Sequence, residues 1–190
     1  MNRIQNESVI SSCSEAGDGG SWQCTEQFSQ SQENGWIEIM APPVYVGEGQ
    51  AVFLQILPSP AQSDGLTYPH IALINTDDAV TTFITSGLYV VTEIIDVEED
   101  GEAMTVWYKG TEAGSPSSSH LYRWTRSSNS SACVTCTMLT SRGQVCQRNS
   151  IDMNYDMTHY IHTCSGPVRN ILLSNIFYNF FIRREFLNHH

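Results

Sequence analysis

Short apolar runs rich in β-branched and aromatic residues alternate with clusters of turn residues along the chain, and almost no 3.6-residue periodicity is present. This pattern is typical of β-strands bounded by turns. The clearest hairpin joins residues 88–96 to 103–108 through Glu99-Asp100-Gly101, because Asp-Gly supplies the positive φ angles of a tight turn. Further strands are predicted at 8–13, 21–28, 50–57, 68–75, 120–125, 132–138 and 158–164. The sequence therefore predicts an all-β fold.

The predicted strands follow one another closely, and each is too short to bury both of its faces alone. Turns are predicted between them at 17–20, 47–49, 63–65 and 111–116. Such spacing suits a β-sandwich, a β-barrel or the blades of a β-propeller, and periodicity does not choose among the three. The acidic run at 98–102 is interpreted as a solvated turn, since its spacing does not match an EF-hand calcium loop.

The charge of the chain narrows the classes of partner. Lys and Arg total 9 against 20 Asp and Glu, which gives a formal net charge of -11. Attraction to nucleic acid or to an anionic membrane surface is therefore not expected. No apolar run approaches the roughly 18 residues of a membrane span, and residues 1–10 lack the apolar stretch of a secretory signal. We expect the chain to start inside a longer protein.

The cysteines fall into an early pair and a late group of four. An even number in this arrangement suggests disulfides. Two N-x-S/T sequons, at Asn6 and Asn129, lie beside the two cysteine groups and are predicted glycosylation sites. Paired cysteines together with sequons favour an extracellular or cell-surface location. The six cysteines are Cys13, Cys24, Cys133, Cys136, Cys146 and Cys164.

Two other interpretations of the late cysteines stay open. A zinc site would combine Cys133-Val134-Thr135-Cys136 with Cys146, Cys164, His159 or His162, but zinc ribbons normally offer two C-x-x-C knuckles and this sequence has one. A redox C-x-x-C would need a βαβ context that the β-rich sequence does not provide. Structural disulfides are the favoured interpretation, and no metal or cofactor is predicted.

Catalytic motifs are absent from the sequence. A G-x-S-x-G elbow, which lifts the nucleophile of an α/β-hydrolase toward its histidine, does not occur, and neither does a P-loop, a dinucleotide fingerprint or an H-E-x-x-H metal helix. Histidines at strand positions are usually packing or surface residues. No catalytic role is therefore assigned to His70, His120, His159 or His162.

An ordered set of motifs carries a resemblance to a known family. Its segments are residues 2–10 with their sequon, Cys13 with Trp22-Gln23-Cys24, Gly35-Trp36-Ile37, Tyr68-Pro69-His70-Ile71 with 83–87, Cys133-Val134-Thr135-Cys136, Cys146 and Cys164-Ser165-Gly166-Pro167. Together they resemble the N-terminal β-propeller region of the dipeptidyl peptidase IV family, in the prolyl oligopeptidase clan.

The resemblance implies that residues 1–173 form several consecutive four-stranded blades of a partial β-propeller. It also implies disulfides between Cys13 and Cys24, Cys133 and Cys136, and Cys146 and Cys164. The parent protein would be a type II membrane or secreted protein. It would either remove N-terminal dipeptides with proline second or be an inactive relative that binds potassium channels.

The partners that the resemblance implies are the hydrolase domain of the same parent, a second copy of the parent, and peptide substrates. The nucleophile elbow, the rest of the triad and the glutamates that hold the substrate's N-terminus would lie outside these residues. The chain itself is thus expected to be inactive. A stand-alone, disulfide-stapled extracellular binding module is the alternative.

The chain also departs from the family pattern. Ile39-Met40-Ala41-Pro42 stands where active members often place an aromatic residue and an arginine, and residues 68–85 contain no cysteine for a second hairpin disulfide. Beyond a boundary at Val168 or just after it, residues 174–190 are predicted to be a non-family tail that is disordered or forms a short helix.

Overall fold

The structure is a computed structural model, and it describes residues 5–17, 19–33, 36–37, 41–49, 51–139, 143–154, 159–164 and 180–183. Strands are the only regular elements in these ranges. They are β1 Glu7–Glu15, β2 Trp22–Ser31, β3 Val44–Val46, β4 Val52–Pro58, β5 Pro69–Asn75, β6 Val80–Phe83, β7 Val91–Asp100, β8 Ala103–Glu112, β9 Ser115–Thr125, β10 Ser130–Cys133, β11 Asn149–Met153, β12 His159–Cys164 and β13 Phe180–Arg183.

The strands form four antiparallel sheets in which neighbours in sequence are neighbours in space. Strands β1 and β2 make a hairpin, and β11, β12 and β13 make a three-stranded sheet. Between them lie two four-stranded meanders, which we call the first sheet (β3 to β6) and the second sheet (β7 to β10). Consecutive four-stranded meanders are the blades of a β-propeller. The predicted all-β fold, with several consecutive blades of a partial propeller, is confirmed.

The inner strands of both sheets are buried on two faces, because each sheet packs against a neighbour on either side. Side chains alternate between the faces of a strand. On β4, Leu54 packs against the second sheet, whereas Phe53 and Leu57 pack toward the β1–β2 hairpin. On β8, Val106 packs toward the first sheet and Trp107 toward β11. The sheets are therefore stacked face to face.

The hairpin tip of the second sheet also contacts the first sheet. The predicted turn 99–101 is shifted by one residue, since Asp100 still pairs with Ala103 and the turn residues are Gly101 and Glu102. Gly101 has the positive φ, 58°. The Glu99 carboxylate accepts two hydrogen bonds from the Gly47 backbone N–H, at 2.8 and 3.0 Å. The acidic run is exposed from Glu99 to Glu102, as expected for a turn.

Several strand limits differ from the prediction. The strand predicted at 88–96 begins at Val91, and the one predicted at 132–138 is Ser130–Cys133, because the chain turns at 134–137 to bring the Cys136 backbone back to Cys133. The turn predicted at 111–116 is confined to Ala113 and Gly114. Strands β3, β6 and β11 were not predicted. They are three to five residues long, too short for a period of two to be recognised in the sequence.

The tail predicted at 174–190 is described only at Phe180–Arg183, where the backbone is a strand paired with β12 rather than a helix. The boundary near Val168, and Ile39-Met40 after the Gly-Trp motif, lie outside the described residues. The family boundary stays a prediction. Among the described residues, no helix has the length and apolar character needed to cross a membrane.

Candidate functional site

Disulfides join strand ends at three places. Cys13 pairs with Cys24 across the β1–β2 hairpin, where the two residues are also register partners. Cys133 pairs with Cys136 at the end of β10, and Cys146 pairs with Cys164, which is the last residue of β12. No cysteine is free. These are the three pairs that the resemblance implies.

The two predicted glycosylation sites lie at strand ends. Asn129 is exposed and occupies the turn between β9 and β10 with a positive φ of 45°. Asn6 immediately precedes β1, is half-buried, and its backbone carbonyl accepts a hydrogen bond from Gln32. An exposed turn gives a glycosylating enzyme access to Asn129, so this sequon fits the modification better than Asn6 does. Glycosylation of either residue stays a prediction.

A buried histidine and a threonine form a defined element in the first sheet. The Thr85 hydroxyl accepts a hydrogen bond from the Ile71 backbone N–H at 2.9 Å and lies 3.1 Å from Nδ1 of His70. His70 Nε2 donates to the Gly87 carbonyl at 3.0 Å. Burial lowers the pKa of His70, and the bond to Gly87 partly opposes this shift. The ring is therefore neutral with both nitrogens satisfied, which is a structural role.

The second sheet repeats the element with one difference. The Thr135 hydroxyl accepts from the Leu121 backbone N–H at 3.0 Å and lies 3.4 Å from Nδ1 of His120, which is fully buried. The separation from histidine to threonine is 15 residues in both sheets. The side-chain amide of Asn149 also lies 3.2 Å from Nδ1. However, Nε2 of His120 has no hydrogen-bond partner among the described residues.

His120 lies beside the C-x-x-C disulfide. An imidazole nitrogen of His120 and the sulfur atoms of Cys133 and Cys136 lie within 4.8 Å of one another. This is a different set from the zinc alternative in the sequence, since Cys146 and Cys164 are bonded to each other. His162 donates from Nε2 to the Asn149 side-chain oxygen at 2.6 Å, and burial lowers its pKa. The side chain of His159 lies outside the described residues.

A stack of tyrosines fills the space between the two sheets. Tyr122 stacks on Tyr89 and on Tyr108, with ring centroids 5.4 and 5.3 Å apart, and His70 meets Tyr89 edge-on. The Tyr122 hydroxyl donates to the Thr111 carbonyl at 2.9 Å. Burial raises the pKa of Tyr122 to about 12. These phenols stay neutral at physiological pH, so the stack is a packing element.

The His120 cluster was not predicted from the sequence. Its available signal was a repeat, since His70-Ile71 and His120-Leu121 are each followed by a threonine at the same separation. The zinc alternative combined the C-x-x-C only with ligands later in the chain, whereas the third group lies earlier, on β9.

Comparisons with known proteins point to one family. The family described as the dipeptidyl peptidase IV (DPP IV) N-terminal region matches residues 1–171. Dipeptidyl peptidase 4 of Bos taurus is 27% identical over 171 residues, which cover 88% of this chain and 21% of that protein. Prolyl endopeptidase FAP of Mus musculus is 26% identical over 174 residues, with 88% and 21% covered. Venom dipeptidyl peptidase 4 of Apis mellifera is 26% identical over 174 residues, with 87% and 20% covered. The chain thus spans about a fifth of the length of these relatives.

Proposed function

Since this chain belongs to the dipeptidyl peptidase IV family, we propose that it forms part of the β-propeller of a serine peptidase that removes X-Pro dipeptides from peptide N-termini. The observation that carries the proposal is the family match over residues 1–171. The two consecutive four-stranded meanders support it, because they are the blades that such a propeller requires.

The proposed role of these blades is to shape the space in which peptides are bound. The cores on both faces of the first and second sheets make the blades stiff walls rather than mobile loops. The sequence contains no G-x-S-x-G elbow, so the nucleophile, its histidine and its aspartate are proposed to come from a hydrolase domain of the same parent protein. In this proposal the propeller selects short peptides and the partner domain cleaves them.

The proposed location is the outside of the cell, on a secreted or membrane-anchored parent. The three disulfides support an oxidising compartment. The exposed sequon at Asn129 is consistent with passage through the secretory pathway. One relative is named a venom dipeptidyl peptidase, and a venom protein is secreted.

The activity is tested with the full-length protein and a chromogenic Gly-Pro reporter. We expect cleavage that a serine-directed inhibitor blocks and that acetylation of the reporter's N-terminus abolishes. The 190-residue chain alone is the matched control and should release no product. Inhibitor-sensitive turnover by this chain alone would overturn the proposed division of labour. An inactive full-length protein would assign the parent to the inactive relatives of the family.

The transcript downstream of Pro167 is a second test. Continuation into a region that encodes a G-x-S-x-G elbow is the expected result. A stop codon shortly after the tail in every transcript would contradict the peptidase proposal and favour a stand-alone binding module.

A further inference from the structure

The strongest unexplained feature is the histidine beside the C-x-x-C disulfide. His120 is fully buried, and its Nε2 makes no hydrogen bond to any residue that the structure describes. A buried polar atom without a partner costs free energy, and native structures rarely keep one without a reason. The sulfur atoms of Cys133 and Cys136 are the neighbouring groups with lone pairs for a metal. A nitrogen and two sulfurs are a donor set that Zn²⁺ prefers.

The first sheet shows that this arrangement is not a requirement of the fold. There the equivalent His70 uses Nε2 to donate to the Gly87 carbonyl, two residues after Thr85. In the second sheet Cys136 follows Thr135 directly, and within the described ranges no carbonyl accepts from His120 Nε2. Nε2 of the histidine therefore has an acceptor in the first sheet and none among the described residues of the second sheet, which is the sheet that carries the C-x-x-C.

The surroundings of the disulfide also suit a pair of thiolates. The Cys136 backbone N–H points at Cys133 Sγ from 3.1 Å, and such a donor stabilises a thiolate. Both cysteines are half-buried, so a small reductant can reach them, whereas Cys146 is buried. We propose that reduction of the Cys133–Cys136 disulfide opens a zinc site whose protein ligands are Cys133, Cys136 and His120.

The chemistry balances in two steps. A low-molecular-weight dithiol reduces the disulfide by thiol exchange: it gives up two electrons and two protons, becomes a disulfide itself, and leaves Cys133 and Cys136 as thiols. Zn²⁺ would then displace one proton from each thiol and be held by both thiolates and by an imidazole nitrogen of His120, with the ring proton on the other nitrogen.

The test measures protection of individual thiols in the full chain. The protein is reduced with a dithiol, freed of reductant without oxygen, and alkylated with and without Zn²⁺, and each cysteine is followed by peptide mass spectrometry. We expect Zn²⁺ to slow alkylation of Cys133 and Cys136 at least tenfold, while Cys13 and Cys24 change little. Equal alkylation of Cys133 and Cys136 with and without Zn²⁺ would overturn the proposal.

The variant that tests the third ligand is His120→Gln, and His70→Gln is its matched control because His70 occupies the same place in the first sheet. In His120→Gln we expect apparent zinc affinity to fall by about tenfold or more, since losing a ligand should cost at least as much as losing an outer-shell partner of one. In His70→Gln the affinity should stay unchanged. Equal affinity in wild type and His120→Gln would show that His120 is not a ligand.

A measurement on the unaltered chain covers the case in which His120→Gln does not fold. X-ray absorption at the zinc edge of the reduced, zinc-loaded protein reports the neighbours of the metal directly. Two sulfurs and one imidazole nitrogen are expected. A shell of four sulfurs, or of oxygen and nitrogen only, would overturn the assignment.

Discussion

The first and second sheets share one hydrogen-bonded arrangement of a histidine and a threonine, and they differ at Nε2 of the histidine. In both, a threonine hydroxyl that follows the outer strand accepts a backbone N–H from the neighbouring strand and lies against the Nδ1 atom of a buried histidine. In the first sheet, His70 is closed by the Gly87 carbonyl. In the second, Nε2 of His120 has no partner among the described residues, and the histidine lies beside a disulfide.

This difference separates what the fold requires from what one blade adds. The shared hydrogen bonds tie the third strand of each of these two sheets to the chain beyond its fourth strand. The unpartnered Nε2 of His120 is not needed for these hydrogen bonds, because the first sheet forms them with both nitrogens of its histidine satisfied. Features that break a local rule which a neighbouring repeat obeys are the better candidates for function.

The largest expected effect concerns the tyrosine stack that holds the two sheets together. Tyr122→Ala should lower the free energy of unfolding by about 3–5 kcal/mol, because it removes a buried ring that stacks on both Tyr89 and Tyr108. Tyr122→Phe keeps the ring and loses the hydrogen bond to Thr111, so it should cost only about 1 kcal/mol. Urea unfolding followed by tryptophan fluorescence measures both. Similar losses in the two variants would show that the ring is not what joins the sheets.

The next effect compares the Cys146–Cys164 disulfide with the Cys133–Cys136 disulfide of the second sheet, to test how much each stabilises the fold. Replacing both Cys146 and Cys164 by serine should cost roughly 3 kcal/mol, as expected for a loop with a separation of 18 residues. The same replacement of Cys133 and Cys136, whose separation is 3 residues, should cost about 1.5 kcal/mol less, because a shorter loop loses less entropy on closure. Denaturant titration under non-reducing conditions gives both values. The opposite order would show that the C-x-x-C disulfide contributes more to stability than Cys146–Cys164 does, and it would weaken the proposal that this disulfide opens on reduction.

A smaller effect sharpens the shared part of the comparison. Thr85→Val and Thr135→Val should each cost about 1–3 kcal/mol, because the buried N–H of Ile71 or Leu121 loses its acceptor. Thr85→Ser and Thr135→Ser keep the hydroxyl and are the matched controls, with a smaller loss expected. Thermal unfolding monitored by circular dichroism is sufficient. A large cost in one sheet and none in the other would mean that the two elements are not equivalent.

Much of this architecture could be predicted from the sequence, because the order of apolar and polar residues along a strand indicates which of its side chains are buried. Val106 and Trp107 show this, since neighbouring residues of one strand face two different cores. Short outer strands such as Val80–Phe83 were missed because their position depends on pairing with β5 rather than on their own pattern. The limits of β10 were missed for a related reason, since a disulfide ends that strand.

The His120 cluster could not be predicted in the same way. His120 and Cys133 lie on adjacent strands, but adjacency alone does not bring three donor atoms together. The register between β9 and β10 places Cys133 opposite Tyr122, two residues from His120, and the turn after Cys133 then carries Cys136 back. That turn is a tertiary feature. The C-x-x-C spacing indicated a pair of sulfurs without indicating their neighbour.

The smallest expected effect is the pH dependence that buried histidines impose. Burial lowers the pKa of His70 in the folded chain below its ordinary value of about 6.5, so at acidic pH the unfolded chain binds a proton that the folded chain does not. Stability from this group is thus complete above about pH 6.5 and is lost as the pH falls through the folded pKa. His70→Gln keeps a donor and an acceptor for Gly87 and Thr85 and should flatten this loss, and His162→Gln should remove a separate part of it. The melting temperature measured between pH 8 and pH 5 tests this, and an unchanged slope in both variants would show that these histidines already protonate in the folded state.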